Sequence, residues 1–139
     1  MSVILREMTN ADFKQALQLW QNTEGISLTG ADAADNLVFF LRRNPGLSFV
    51  CFNEENLVGA AMCGHDGRRG FIYHLAVTPT WRGKGIGRSL VEACLAELRT
   101  VGIEKCHIMV MGDNQEGLVF WQKLGWSLRN DILLLSHAV

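Results

Sequence analysis

The densest cluster of chemistry-bearing residues is Arg82-Gly83-Lys84-Gly85-Ile86-Gly87-Arg88, with three glycines and three cations in seven positions. Glycine lets a backbone turn tightly and approach a ligand closely. A helix start offers unpaired N–H groups and the positive end of the helix dipole. Placed together, these features make a site for an anion, above all for phosphate oxygens. A tight loop with no ligand is the plainer alternative. A Walker loop requires Ser or Thr after Gly-Lys, and Gly85 follows Lys84. A dinucleotide fingerprint requires GxGxxG directly after a strand. Here the spacing is GxGxG, and Thr80, Trp81 and Arg82 intervene after Pro79. The cluster therefore reads as a pyrophosphate cradle of another kind.

Elements on either side must position it. Phe71–Thr78 reads as a strand closed by Pro79. Leu90, Val91, Cys94, Leu95 and Leu98 mark one face of a long helix from about Gly85 to Val101. Upstream, Val3–Met8 reads as a strand. Thr9 and Asp12 form a capping-box pair. Phe13, Ala16, Leu17 and Trp20 follow at helical spacing, to about Asn22. Glu24–Ala31 reads as a loop. Asp32 is read as the cap of a second helix with Leu37, Val38, Phe40 and Leu41 on one face, ended by Asn44-Pro45-Gly46. Leu47–Asn53 and Leu57–Gly64 read as a hairpin. Lys105–Met111 reads as a strand and Asn114–Leu124 as a short helix stopped by Gly125. Trp126–Arg129 and Ile132–Ser136 read as two closing strands. The order is β-α-α-β-β-β-α-β-α-β-β, an α/β chain with a mixed sheet and helices on both faces.

Composition narrows the function classes. The 139 residues are 48% hydrophobic, and the formal net charge is −1. One domain over residues 1–139 is expected, with no global basic excess to favour nucleic acid. No apolar run approaches the roughly 18 residues that span a bilayer, so no membrane role is expected. The N-terminal residues do not read as a secretory signal. Cys51, Cys63, Cys94 and Cys106 are scattered without a CxxC pair. That pattern predicts reduced core thiols, a cytoplasmic location and no metal site.

Leu75-Ala76-Val77-Thr78-Pro79-Thr80-Trp81-Arg82-Gly83-Lys84-Gly85-Ile86-Gly87 resembles the acetyl-CoA signature of the GNAT N-acetyltransferase superfamily: a strand, a Pro, then R/Q-x-x-G-x-G/A. A second similarity joins Asp113-Asn114-Gln115-Glu116 to Phe120-Trp121-Gln122-Lys123-Leu124-Gly125-Trp126, where the family typically has Asn, a short helix, then Phe-Tyr-x-x-x-Gly-Phe. The element order fits the GNAT fold over the whole chain. The resemblance implies acetyl-CoA as co-substrate and no metal. It implies that Leu75, Ala76 and Val77 pair by backbone with the pantetheine arm. The N–H groups of Arg82, Gly83, Lys84, Gly85, Ile86, Gly87 and Arg88 would hold the pyrophosphate. Asn114 would contact the cofactor arm, and Phe120 and Trp121 would line the thioester end. It also implies direct transfer to an amine in a ternary complex, and it is compatible with a homodimer.

Two positions depart from the family pattern. Trp121 stands where the family has its acidic Tyr, and an indole N–H is a very poor acid. Phe71 stands where the family often has a Glu base. Tyr73, the sole tyrosine, and His74 beside it are the catalytic candidates left on that strand. Tyr73 reads either as a proton donor or as a core aromatic. His74 reads either as the group that takes the amine proton or as a hydrogen-bonded strand histidine. His65 and Asp66 in the preceding turn are weaker candidates. Glu24, Ser27, Leu28 and Thr29 fall in the segment that walls the acceptor in this family, and they are the substrate-contact candidates. The acceptor is a small-molecule or peptide amine. The other function class is a non-catalytic acyl-CoA-binding sensor or regulatory module, which would keep the cradle and lose the chemistry.

Overall fold

The structure is a computed structural model that describes residues 2–139. These divide into two compact units, one running to Met109 and the other Val110–Val139.

The first unit is a five-stranded sheet in the order β1-β2-β3-β4-β5. Its strands are β1 (Ile4–Glu7), β2 (Phe49–Asn53), β3 (Asn56–His65), β4 (Gly70–Val77) and β5 (Cys106–His107). The first four pair antiparallel, and β5 joins β4 parallel. A parallel pair needs a crossover connection, and α3 (Ile86–Thr100) supplies it. The helices α1 (Phe13–Gln21) and α2 (Ala34–Arg43) precede β2.

Central strand β3 is buried along nearly its whole length, because helices cover both faces. On one face Phe13, Ala16 and Trp20 of α1 and Leu37 of α2 meet Val50, Leu57, Ala60, Met62 and Ala76. On the other, α3 turns Leu90, Val91, Cys94 and Leu98 inward. Small strand residues set the approach distance there. A Cβ on Gly59 would come 3.0 Å from Ile86 and 3.1 Å from Leu90, so glycine is what lets α3 sit this close.

The ladder between β3 and β4 is broken at one place. Ala60 opposes Ala76, but Met62 opposes Tyr73. Ala61 thus faces two residues, His74 and Leu75, which is a β-bulge. His74 has φ +56°, a left-handed conformation that costs a non-glycine residue about 1 kcal/mol or more. Successive strand side chains normally point to opposite faces. The bulge puts Tyr73 and His74 on the same face: Tyr73 packs against the α1–α2 core cluster, and the His74 ring lies 5.2 Å from that of Trp20.

The mixed α/β class with helices on both sheet faces is as expected from sequence, and three expectations are corrected. Asp32 does not cap α2. That helix begins at Ala34 with Ala33 as its N-cap, and Asp32 ends a separate 3-10 turn, Gly30–Asp32. The strand expected over Lys105–Met111 is only Cys106–His107. The closing strands expected over Trp126–Arg129 and Ile132–Ser136 are not formed among the described residues. Leu133, Leu134 and Leu135 are 89%, 75% and 86% exposed. A strand exists only as part of a ladder, and a run of consecutive leucines has no period-two face to dictate one.

Candidate active site

The loop after β4 is held by its own chemistry. Pro79 opens a 3-10 turn through Trp81. The Arg82 Nε then donates back to the Val77 carbonyl at 2.8 Å, tying the loop to the strand end. Gly83 and Gly85 have φ +76° and +85°, and a Cβ on either would meet nothing within 4 Å. Glycine is required here by backbone conformation, and the space beside it is open. Gly85 is the N-cap of α3. The first helical bond is Ser89 N–H to the Gly85 carbonyl, 3.0 Å. The preceding N–H groups of Ile86, Gly87 and Arg88 have no intrahelical acceptor. Lys84 and Arg88 are exposed, with Arg88 4.0 Å from Glu92. Free N–H groups, open space and exposed cations suit a diphosphate group.

At the bulge, His74 Nε2 lies 2.8 Å from Asp32 Oδ1. Both side chains are largely buried, 18% and 10% exposed. The second carboxylate oxygen, Oδ2, accepts from Thr29 N–H at 3.0 Å. Sequence reasoning gave Asp32 only a capping role. The available signal was the Thr29-x-x-Asp32 spacing, which repeats Thr9-x-x-Asp12 and places the carboxylate over its own turn.

A cavity of about 530 Å³ opens on this face. Phe39, Phe40, Met62, Phe71 and Tyr73 line it with Arg43. Tyr73 and Ala31, the residues just before His74 and Asp32, both line it. Phe71 stacks on Tyr73 at 6.2 Å, with Phe40 edge-on to Tyr73 at the same distance. Burial pushes the Tyr73 hydroxyl above its ordinary range, so it stays protonated at neutral pH. The turn after β3 serves itself: His65 Nδ1 accepts from Gly67 N–H, and Asp66 Oδ1 accepts from Arg68 and Arg69 N–H. Those N–H bonds from Arg69 and Arg68 hold the Asp66 carboxyl below its usual range.

The profile of the acetyltransferase (GNAT) family matches residues 6–126. The chain belongs to the GNAT acetyltransferase family. An acetyltransferase of Sodalis glossinidius is 30% identical over 97% of this chain and 94% of its own length. Among solved structures, Ard1 from Thermoplasma volcanium aligns with a TM-score of 0.81 at 21% identity, covering 93% of this chain and 85% of that one. PaiA N-acetyltransferase from Thermoplasma acidophilum, solved in complex with coenzyme A, gives 0.81 at 18% identity, covering 95% and 94%. These neighbours share the GNAT fold, and the family is one of acyltransferase enzymes.

Other candidate residues of this GNAT acetyltransferase have local roles. Leu28 packs against the α1–α2 core cluster. Thr29 accepts Ala31 N–H at 3.2 Å and so fixes the 3-10 turn. Glu24 and Ser27 are exposed, and none of the four lines the cavity. In the second unit, Asn114 caps α4 (Gln115–Lys123) by accepting Gly117 N–H at 3.0 Å. Phe120 and Trp126 both meet the Trp121 ring edge-on, at 5.4 and 4.8 Å. No helix of the described residues is long and apolar enough to cross a membrane. All four cysteines are free. A hydrogen bond with Cys94 and burial push the Cys63 thiol far up, burial raises Cys51, and burial with the nearby Cys63 pushes Cys106 up to about 12.

Proposed function

We propose that residues 1–139 form a single N-acetyltransferase domain that takes the acetyl group of acetyl-CoA to an amine by direct attack in a ternary complex. The observation that carries this reading is the open loop of Gly83 and Gly85 leading into the unpaired N–H groups of α3, flanked by Lys84 and Arg88. Residues Arg82 to Arg88 hold the diphosphate. Leu75 in the bulge, and Ala76 and Val77 just beyond it on β4, offer backbone to the amide-bearing arm. The domain acts in the cytoplasm, consistent with its unpaired cysteines.

The acceptor, a small-molecule or peptide amine, occupies the aromatic cavity beside the bulge. His74 takes its proton, because only the neutral amine has a lone pair to attack with. The amine nitrogen bonds the acetyl carbon as the carbon–sulfur bond breaks. The product thiol has a pKa of about 8.5. Tyr73, held above its ordinary range, is thus a weaker acid than that thiol. It steadies the departing sulfur by donating a hydrogen bond rather than by giving up its proton. The raised thiols of Cys51, Cys63 and Cys106 favour direct transfer over a cysteine acyl-enzyme, which needs a thiolate.

Calorimetry with acetyl-CoA tests this. Wild type is expected to bind with Kd of roughly micromolar order. Lys84→Glu with Arg88→Glu, two exposed changes that leave the fold intact, is expected to weaken binding at least about tenfold. Equal affinity in wild type and variant would overturn the cradle. Binding without turnover on any amine would favour the sensor reading.

A further inference from the structure

We infer that Asp32 is the positioning residue of the site: it holds His74 as the Nε2–H tautomer and leaves Nδ1 as the atom that takes the acceptor's proton. This rests on the acetyl transfer proposed above, but the geometry behind it is separate from the cofactor loop. A carboxylate only accepts hydrogen bonds. With Oδ2 taken by Thr29 N–H and Oδ1 2.8 Å from Nε2, the hydrogen of a neutral ring belongs on Nε2. The lone pair is then on Nδ1.

Several contacts fix this arrangement. The turn that carries Asp32 is closed by Thr29 Oγ1 accepting Ala31 N–H and by Asn36 Nδ2 donating to the Gly30 carbonyl at 2.7 Å. Trp20, fully buried, stands against the ring at 5.2 Å and 50°. Nδ1 has no protein partner among the described residues. It is nevertheless not sealed off, since Trp20 Nε1 is the one buried and unpartnered side-chain polar atom among them. Nδ1 therefore keeps some exposure; His74 is not itself among the residues lining the cavity, but its neighbour Tyr73, on the same sheet face, is. Of the elements packed here, the 3-10 turn brings the charged group, Asp32. The α1 helix brings Trp20, and β4 itself brings Tyr73.

The left-handed backbone of His74 costs about 1 kcal/mol or more, and an ordinary buried strand histidine has no reason to carry it. The bulge brings the ring to Asp32, on the sheet face that also carries Tyr73. In the reaction, Nδ1 takes one proton from the acceptor ammonium, giving a neutral amine and an imidazolium that keeps its Nε2–H on Asp32. The N–C bond forms and the C–S bond breaks. The amide nitrogen loses a second proton, the departing sulfur gains one, and Nδ1 returns its own to water. Ammonium and thioester thus give amide, thiol and one proton.

Nitrogen-15 NMR of the histidine-labelled full chain, taken above pH 8, tests the inference without any substrate. The His74 signals are expected to show a protonated Nε2 and an unprotonated Nδ1 in wild type. In Asp32→Asn, whose amide can donate to Nε2 instead, that fixed tautomer is expected to be lost. An Nδ1–H tautomer in wild type, or one unchanged in Asp32→Asn, would overturn the proposal. The wild-type spectrum alone decides it if the variant does not fold. Where a primary-amine panel with acetyl-CoA gives turnover, Asp32→Asn is expected to lower kcat about 10²-fold with the KM for acetyl-CoA unchanged, and Asp32→Glu to recover part of it. A parallel loss in kcat, KM and Tm would mark Asp32 as merely structural. Failure of acetyl-CoA to bind wild type would instead sink the function while leaving the tautomer measurable.

Discussion

Two turns in this molecule use the same four-residue device to different ends. Thr9-x-x-Asp12 and Thr29-x-x-Asp32 each close a 3-10 turn with a reciprocal capping box, and each aspartate then reaches one basic partner. Asp12, 3% exposed, is gripped by Arg6 through two bonds of 2.8 Å, and the Arg6 guanidinium lies 4.8 Å over the Phe52 ring. Asp32 reaches His74, 42 residues away, through one bond. Arginine stays charged at any working pH, so the Arg6 pair is a permanent clamp between β1 and the entry to α1. An imidazole nitrogen can either donate or accept, which a guanidinium cannot, so the Asp32 partner is of a kind that can carry a proton transfer. Local capping chemistry is common to both. The partner that the sheet brings alongside is what differs: the Arg6 pair serves stability, and the His74 pair is the one proposed to serve chemistry.

Substitutions should separate these roles, the largest effect being on turnover. His74→Gln is expected to lower kcat about 10²-fold or more with the thermal midpoint little changed. An activity within threefold of wild type would put the two turns back in one class. On stability the order reverses. Asp12→Ala removes the buried carboxylate that accepts from Thr9 N–H and from Arg6, for about 2 kcal/mol, or about 8 °C in Tm for a domain near this size. Asp32→Ala is expected to cost about 1 kcal/mol, and thermal melts of the two variants side by side would show the difference.

Acid titration sharpens the contrast. Burial alone would raise the Asp12 carboxyl, but the Arg6 bonds, the Thr9 N–H and the Arg6 charge together hold it below its usual range. A depressed folded pKa stabilises above the unfolded value, about 3.9, and that stability is lost as pH falls through the lower folded value. Wild type is therefore expected to lose stability below about pH 4, and Asp12→Asn to show a shallower acid limb in melts from pH 6 to 2.5. Identical limbs would mean that Asp12 is not the clamp.

The same contrast explains what was legible in the sequence. Helices α1 and α3 were readable because their apolar faces repeat at 3.6, and the cradle because glycine and cations mark a loop-to-helix junction locally. The Asp32–His74 pair was not, since no period or spacing links residues 42 apart and the pairing depends on a one-residue slip opposite Ala61. The closing strands were over-read because Ile132–Leu135 is apolar enough for a strand yet has no alternation to set a register. The cavity was missed for a related reason. Phe40 falls on the apolar face of the helical pattern and Phe39 does not, and only the end of α2 beside Gly64 shows how the two come to line one cavity. A Cβ on Gly64 would come 2.8 Å from Phe40, so α2 lies directly on the strand there and leaves Phe39 60% exposed.

The smallest effect concerns the bulge itself. If His74 is held at φ +56° for the sake of its ring, removing the ring removes the reason for the strain, and the two simplest replacements should differ. His74→Ala keeps a Cβ in the left-handed region, whereas His74→Gly does not. Both lose the ring's contact with Trp20 and its bond to Asp32, so those losses cancel in the comparison. Glycine also loosens the unfolded chain, which lowers folded stability by up to about 1 kcal/mol and opposes the relief. His74→Gly is therefore expected to be more stable than His74→Ala by roughly 0.5–1 kcal/mol, in urea melts analysed with a common slope. A reversed order would show that the backbone relaxes once the ring is gone. The left-handed turn would then be a consequence of the Asp32 bond rather than a fixed feature of the bulge.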